Sequence, residues 1–143
     1  MSTHRVHGRY AVLGALLSAA LSAHLAMAGV PSTWVERRPA GDFDWWWSGV
    51  AASADGLTII AVSREGWIHT SADGGANWTE RQPAGFFHLE WYAVNMSRNG
   101  THMIVGATWM MGRLFTSSNA GADWTEQQPA GNIDRMWGGG AIS

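Results

Sequence analysis

Eleven side chains of this 143-residue chain are of types that grip a sugar or a peptide: Asp42, Asp44, Trp45, Arg64, Glu65, His88, Glu90, Trp109, Arg113, Asp134 and Arg135. Aromatic rings stack on a sugar ring, while carboxylates and guanidinium groups bond its hydroxyls. Hydrolysis would ask for more, namely an acid and base pair or a substitute nucleophile held across one bond. The eleven residues fall in stretches of one kind, "PAGDFDWWW", "PAGFFHLEWY" and "PAGNIDRMW", and in two shorter ones, "SREGW" and "TWMMGR". The competing reading makes these stretches ordinary solvated turns, with Trp45 to Trp47 filling gaps between sheets. Trp46 and Trp47 are adjacent on an extended segment and point to opposite sides, so at least one of them packs.

Other chemistries find less support. His69, His88 and His102 are scattered and give no pair at metal-ligand spacing. There is no G-x-S-x-G elbow, and "WGGGAIS" lacks the helix and lysine of a phosphate loop. No metal and no cofactor is expected. The chain has no cysteine, so neither disulfides nor thiolate sites contribute. Three N-x-[ST] sequons, at Asn77, Asn95 and Asn99, sit where turns or strands already explain them.

The start of the chain reads as a secretory signal over residues 1–28. Arg5 and Arg9 precede an apolar run from Ala11 to Ala23, and Ala26-Met27-Ala28 supplies small residues for cleavage. The run is shorter than the roughly 20 residues a spanning helix needs, so no stable membrane anchor is expected after cleavage. A secreted or periplasmic location follows. Beyond the signal, seven arginines face eleven acids and there is no lysine, a balance of four negative charges. Nucleic-acid binding, which shows a basic patch, is not expected.

The elements that would position the eleven residues come from a repeat. Trp34, Trp78 and Trp124 each open a W-[TV]-E-x-[RQ]-P-A-G segment, spaced by 44 and then 46 residues. Trp47, Trp91 and Trp137 follow at the same spacing and begin "WSGVAAS", "WYAVNMS" and "WGGGAIS". Each copy reads as four short strands. A first run ends at Asp55-Gly56 or Asn99-Gly100, dipeptides that predict a type I′ hairpin. A β-branched run such as "LTIIAVS" comes next, then "GWIHTS" or "GRLFTS", then "NWTERQ" or "DWTEQQ". Four antiparallel strands in 40–50 residues is the pattern of a propeller blade. The predicted class is all-β, with four-stranded antiparallel blades over 47–80 and 91–127, a partial blade from 137, and a lone fourth strand around Trp34. All of this falls within residues 29–143.

Between the third and fourth strands lie "SADGGANW" and "SSNAGADW". Ser71, Asp73, Gly75 and Trp78 match the S-x-D-x-G-x-x-W pattern, and Ser117, Gly121 and Trp124 match it with Asn119 in place of the aspartate. The chain thus resembles the Asp-box, or bacterial neuraminidase repeat, propellers of the sialidase superfamily. Its strands are also similar to photosystem II assembly and stability factor-like blades. The resemblance implies a propeller fold. Asn119 keeps an acceptor oxygen but loses the charge, so the motif reads as a turn, with a calcium or ligand role of its oxygen cluster as the alternative.

Sialidases, which the repeat also resembles, use three arginines for the substrate carboxylate and a tyrosine nucleophile paired with a glutamate. Arg64, Arg113 and Arg135, with Tyr92 and Glu90, are the counterparts this chain offers, but the F-R-I-P arginine motif is absent. The expected function is a non-catalytic scaffold or interaction surface for a protein or a glycan, within a longer propeller. The alternative is a fragment of a glycan-hydrolysing enzyme. Because fewer than three blades leave sheet faces uncovered, self-association to complete a ring stays open.

Overall fold

The computed structural model describes residues 34–108, 112–133, 135–139 and 142. The residues from Arg37 onward form one compact unit, and those up to Glu36 form another. Of the first unit only Trp34, Val35 and Glu36 are described, and all three are exposed without regular secondary structure. The signal segment lies outside the described residues.

Among the described residues eight strands build the second unit: β1 (Trp47–Ala52), β2 (Ile59–Ser63), β3 (Ile68–Ser71), β4 (Thr79–Arg81), β5 (Glu90–Met96), β6 (Met103–Thr108), β7 (Leu114–Ser117) and β8 (Thr125–Gln127). They form two four-stranded sheets, ordered β1-β2-β3-β4 and β5-β6-β7-β8, with antiparallel neighbours throughout. The sheets approach each other through β1, β2 and β5, and no comparable approach joins β4 to β8. Two sheets fanned in this way, each an up-and-down meander, are propeller blades.

Alternation decides which side chains meet between the blades. In the first sheet Ile60, Val62 and Ile68 fall on the face toward the second, and all three are fully buried. The second sheet answers with Trp91, Met103, Val105 and Phe115. Gly49 is there because nothing larger fits: a Cβ on it would stand 2.7 Å from Val94 Cγ1. β1 and β5 each carry a bulge at the same place, leaving Ser48 and Tyr92 without a directly paired residue. Ser48 uses its freedom to donate its hydroxyl across the gap to the Trp91 carbonyl at 2.5 Å.

Two local expectations are corrected. The β1–β2 connection is not a type I′ turn. Gly56 and Gly100 have positive φ, but Asp55 and Asn99 do not, whereas a type I′ turn needs both central residues there. Instead the Gly56 N–H donates to the Ser53 carbonyl at 2.9 Å, and the Asp55 carboxylate accepts the Leu57 N–H at 3.0 Å. Asn99 does the same for Thr101. The side-chain acceptor fixes a longer loop with glycine fourth in the turn. The second correction concerns Trp34, expected in a strand. β4 and β8 are held by pairing with β3 and β7, and no strand among the described residues precedes β1 to do this for Trp34.

Candidate functional site

The chain reverses at two ends of the blades. At one end lie the hairpins after β1 and β5 and the turns after β3 and β7, bonded to one another: Gly74 N–H to the Leu57 carbonyl and Ala120 N–H to that of Thr101, both at 2.9 Å. Ala54 N–H reaches the Arg98 carbonyl at 2.8 Å and ties one blade's hairpin to the next.

The turns at 71–78 and 117–124 are built alike. The Ser71 hydroxyl accepts the Gly75 N–H at 2.9 Å and donates to Asp73 Oδ1 at 2.8 Å. Ser117 repeats this with Gly121 and Asn119. Trp78 and Trp124 each close their turn with Nε1 donating to a glycine carbonyl, Gly75 or Gly121, at 3.0 Å. Asp73 accepts the backbone and side-chain N–H groups of Asn77 at 2.8 and 2.6 Å, and these bonds hold its carboxyl down at about 2. In the second turn the chemistry is reversed: Asn119 Nδ2 donates to Asp123 Oδ2 at 2.7 Å. One amide–carboxylate bond closes each turn, and its two partners have exchanged places. The carboxylates are thus consumed by the turn itself. Among the described residues no group of three His, Asp or Glu side chains is arranged to hold a metal ion.

The opposite end carries the stretches read as a binding face. Trp45 meets Trp67 edge to face, centroids 5.3 Å apart, and Trp67 meets His88 likewise at 5.1 Å. This ladder joins the segment before β1, the β2–β3 loop and the connection between the blades. Glu65 pins it, since its carboxylate accepts the Trp46 N–H at 3.0 Å and its carbonyl lies 3.1 Å from His88 Nδ1. Gly66 permits the approach: its φ is +92°, and a Cβ there would stand 2.7 Å from His88 Cα. Arg64 lies over the Tyr92 ring, 4.6 Å from its centroid.

The structure therefore brings Trp45, Arg64, Glu65 and His88 together around one loop. Glu90 opens β5, paired with Thr108. Asp42 is apart and exposed, in an ion pair with Arg38 at 2.7 Å, and Asp44 is exposed. Arg113 binds Glu126 and Asn132, and hydrogen bonds from Gln128 and Arg113 hold the Glu126 carboxyl below the ordinary range. Arg135 docks by its backbone, donating to the Gly112 carbonyl at 3.2 Å. Trp109 and Asp134 lie outside the described residues.

Sequence reasoning passed over the aromatic side chains at this end that water touches most. Phe86 is 95% exposed, Phe43 74%, Trp46 70% and Phe87 67%. Phe43, Phe87 and Ile133 occupy one position of the repeat, and all three are exposed. That repeated position was a signal the sequence did hold. Phe86 and Phe87, with Trp67, His88, Gln82 and Gly66, line a small cleft of about 90 Å³.

A second, larger groove of about 530 Å³ runs along the uncovered face of the first sheet, floored by Trp47, Val50, Ile59 and Ala61 and edged by Arg37 and Trp78. Beside it the His69 ring stacks edge to face on Trp47, at 5.6 Å. His69 is buried, and its Nδ1 has no hydrogen-bond partner among the described residues.

Fanned, repeated meanders with exposed connecting loops define the chain as β-propeller blades. No known family model and no curated protein sequence matches it. Among solved structures it is similar to YCF48 bound to D1 peptide, with a TM-score of 0.55 at 14% identity over 78% of this chain and 38% of that one. It is also similar to the GH74 enzyme of Niastella koreensis (TM-score 0.43, 20% identity, 56% of this chain and 11% of that one). An ancestral GH74 enzyme gives a TM-score of 0.45 at 16% identity, over 56% of this chain and 12% of that one. The chain spans less than two fifths of the YCF48 structure's length. At 14% identity the likeness to the YCF48 structure establishes the fold alone.

Proposed function

We propose that this chain is part of an exported, non-catalytic propeller of Asp-box repeats that binds a protein partner through the loops at the Trp45, Trp67 and His88 end. The observation that carries the reading is the division of labour at that end. Three of the charged groups at that end are engaged with their own neighbours: Arg64 over Tyr92, Arg113 on Glu126, and Glu65 under the Trp46 N–H. Phe43, Trp46, Phe86 and Phe87, by contrast, face water. Exposed apolar surface grouped at one end of a soluble scaffold is the usual mark of an interaction site. The YCF48 structure, which shares the fold, is one with a peptide bound. Residues 1–28 fit this reading as a cleaved secretory signal.

Two measurements test it together. The full chain is incubated with fluorogenic sialosides and β-glucosides, and in parallel its binding to a peptide array and a glycan array is scored. We expect no turnover, and peptide binding that weakens at least tenfold in a Trp46→Ala, Phe87→Ala variant. Turnover abolished by Tyr92→Phe would overturn the proposal in favour of a glycan-hydrolysing enzyme. Binding to glycans alone would replace the protein partner with a sugar.

A further inference from the structure

The cleft between the β2–β3 loop and the connection from β4 to β5 is small and chemically uneven. Its walls are the rings of Trp67, Phe86, Phe87 and His88, its floor includes Gly66, and the Gln82 amide stands at its edge. A volume of about 90 Å³ holds about three water molecules, the bulk of one branched aliphatic side chain. The rings of Trp67, Phe86 and Phe87 offer no hydrogen-bond partner to the hydroxyls that ring a pyranose, whereas an aliphatic side chain needs none. Phe86 and Phe87 stay largely exposed, so an apolar side chain entering here would remove ring surface from water as well as its own.

The surroundings of the cleft are acidic. Glu65 adjoins Gly66, Glu90 follows His88 by two residues, and Asp44 precedes Trp45, whose ring touches Trp67. Glu80 accepts a hydrogen bond of 2.7 Å from the same Gln82 amide that edges the cleft. Two arginines lie near in sequence, and both are turned to other partners: Arg81 donates from Nε to Thr70 Oγ1 at 2.9 Å, and Arg64 has its guanidinium over Tyr92. Carboxylates around an apolar cleft favour a basic approach and repel an acidic one.

Resting on the interaction-module reading, we infer that this cleft takes a single leucine-like side chain from an extended partner segment whose flanking residues are basic. The aliphatic group enters between Phe86, Phe87 and Trp67, and flanking arginines or lysines lie over Asp44, Glu80 and Glu90. The apolar contact sets how long the complex lasts, and the charges set how quickly it forms.

The probe is a fluorescein-labelled heptapeptide with one central leucine, a glycine on each side of it and two arginines at each end, titrated against the full chain by fluorescence anisotropy. Binding is expected, weakening at least tenfold when the leucine becomes alanine and at least tenfold in Phe87→Ser. Phe87 is exposed, so this variant keeps its fold, which circular dichroism checks. Asp44→Asn should weaken the arginine-flanked peptide several-fold and leave a serine-flanked version unchanged. Equal binding of the leucine and alanine peptides, or tighter binding of a glutamate-flanked peptide, overturns the inference. If this heptapeptide is ignored while other peptides on the array bind and lose binding with Trp46→Ala, the inference fails and the module reading stands. If no peptide binds at all, both fail.

Discussion

Asp73 and Asn77 close the first blade's turn, and Asn119 and Asp123 close the second with the acid and the amide exchanged. The pair, and not the aspartate, is the unit the turn requires. Asn119→Asp would set two carboxylates four residues apart where one hydrogen bond stood. We expect it to cost about 1 kcal/mol by urea denaturation, and the double variant Asn119→Asp, Asp123→Asn to recover most of that loss. A double variant as weak as the single one would show that the exchange has no bearing on the turn. His69 makes a different prediction. Burial holds its imidazole below the ordinary value, with the charge of Glu80 opposing. The unfolded chain therefore takes up the proton more readily than the folded one. Stability is complete above the ordinary imidazole value and falls as pH drops through it toward the lower folded value. Urea midpoints should hold steady from pH 8 to 7 and decline below about 6.5. His69→Phe, which copies Phe115 at the equivalent place, should flatten that decline.

At the scale of elements, the second turn keeps a strain that the first avoids. Ala120 has φ +56°, at the repeat position where Gly74 has φ +69°. A side chain in the left-handed region costs roughly 1 kcal/mol, so Ala120→Gly should stabilise the chain by a large part of that and raise Tm by a few degrees. A lower Tm would mean that the lost Ala120 methyl packing outweighs the relief. The sequence made these elements legible because they occur twice. Two tryptophan series at one spacing located the four strands of each copy and the end at which each loop emerges. Turn type was not legible, since Asp55-Gly56 reads the same whether the aspartate takes positive φ or, as here, accepts the Leu57 N–H. Neither were the partners at the loop end. Arg113 meets Glu126 through the β7–β8 register, and Glu65 reaches Trp46 across 19 positions of sequence. Phe86 and Phe87 look no different in the sequence from core aromatics, since composition does not say which aromatic residues a small core has room to bury.

At the scale of the whole molecule, the large contact between the two sheets among the described residues is the seam of β1, β2 and β5, and Trp91 sits in it 1% exposed, edge to face with Phe115 at 5.7 Å. Trp91→Ala should cost about 3–5 kcal/mol, enough to unfold a domain of ordinary stability, and is checked by urea titration of the full chain. Gly49→Val would press on Val94 from the other side of the seam, at a cost of about 1–3 kcal/mol. The Trp91 ring has a further property, shared with Trp45: its Nε1 is buried with no acceptor among the described residues, whereas Trp34 and Trp46 stand largely in water. An indole without a polar neighbour emits at the blue edge of the tryptophan range and is shielded from iodide in solution. The seam therefore carries its own optical gauge. Under iodide, which silences the exposed rings, the part of the surviving blue emission that a Trp91→Phe variant loses reports whether the two blades are closed on each other, and its quenching marks the moment they part.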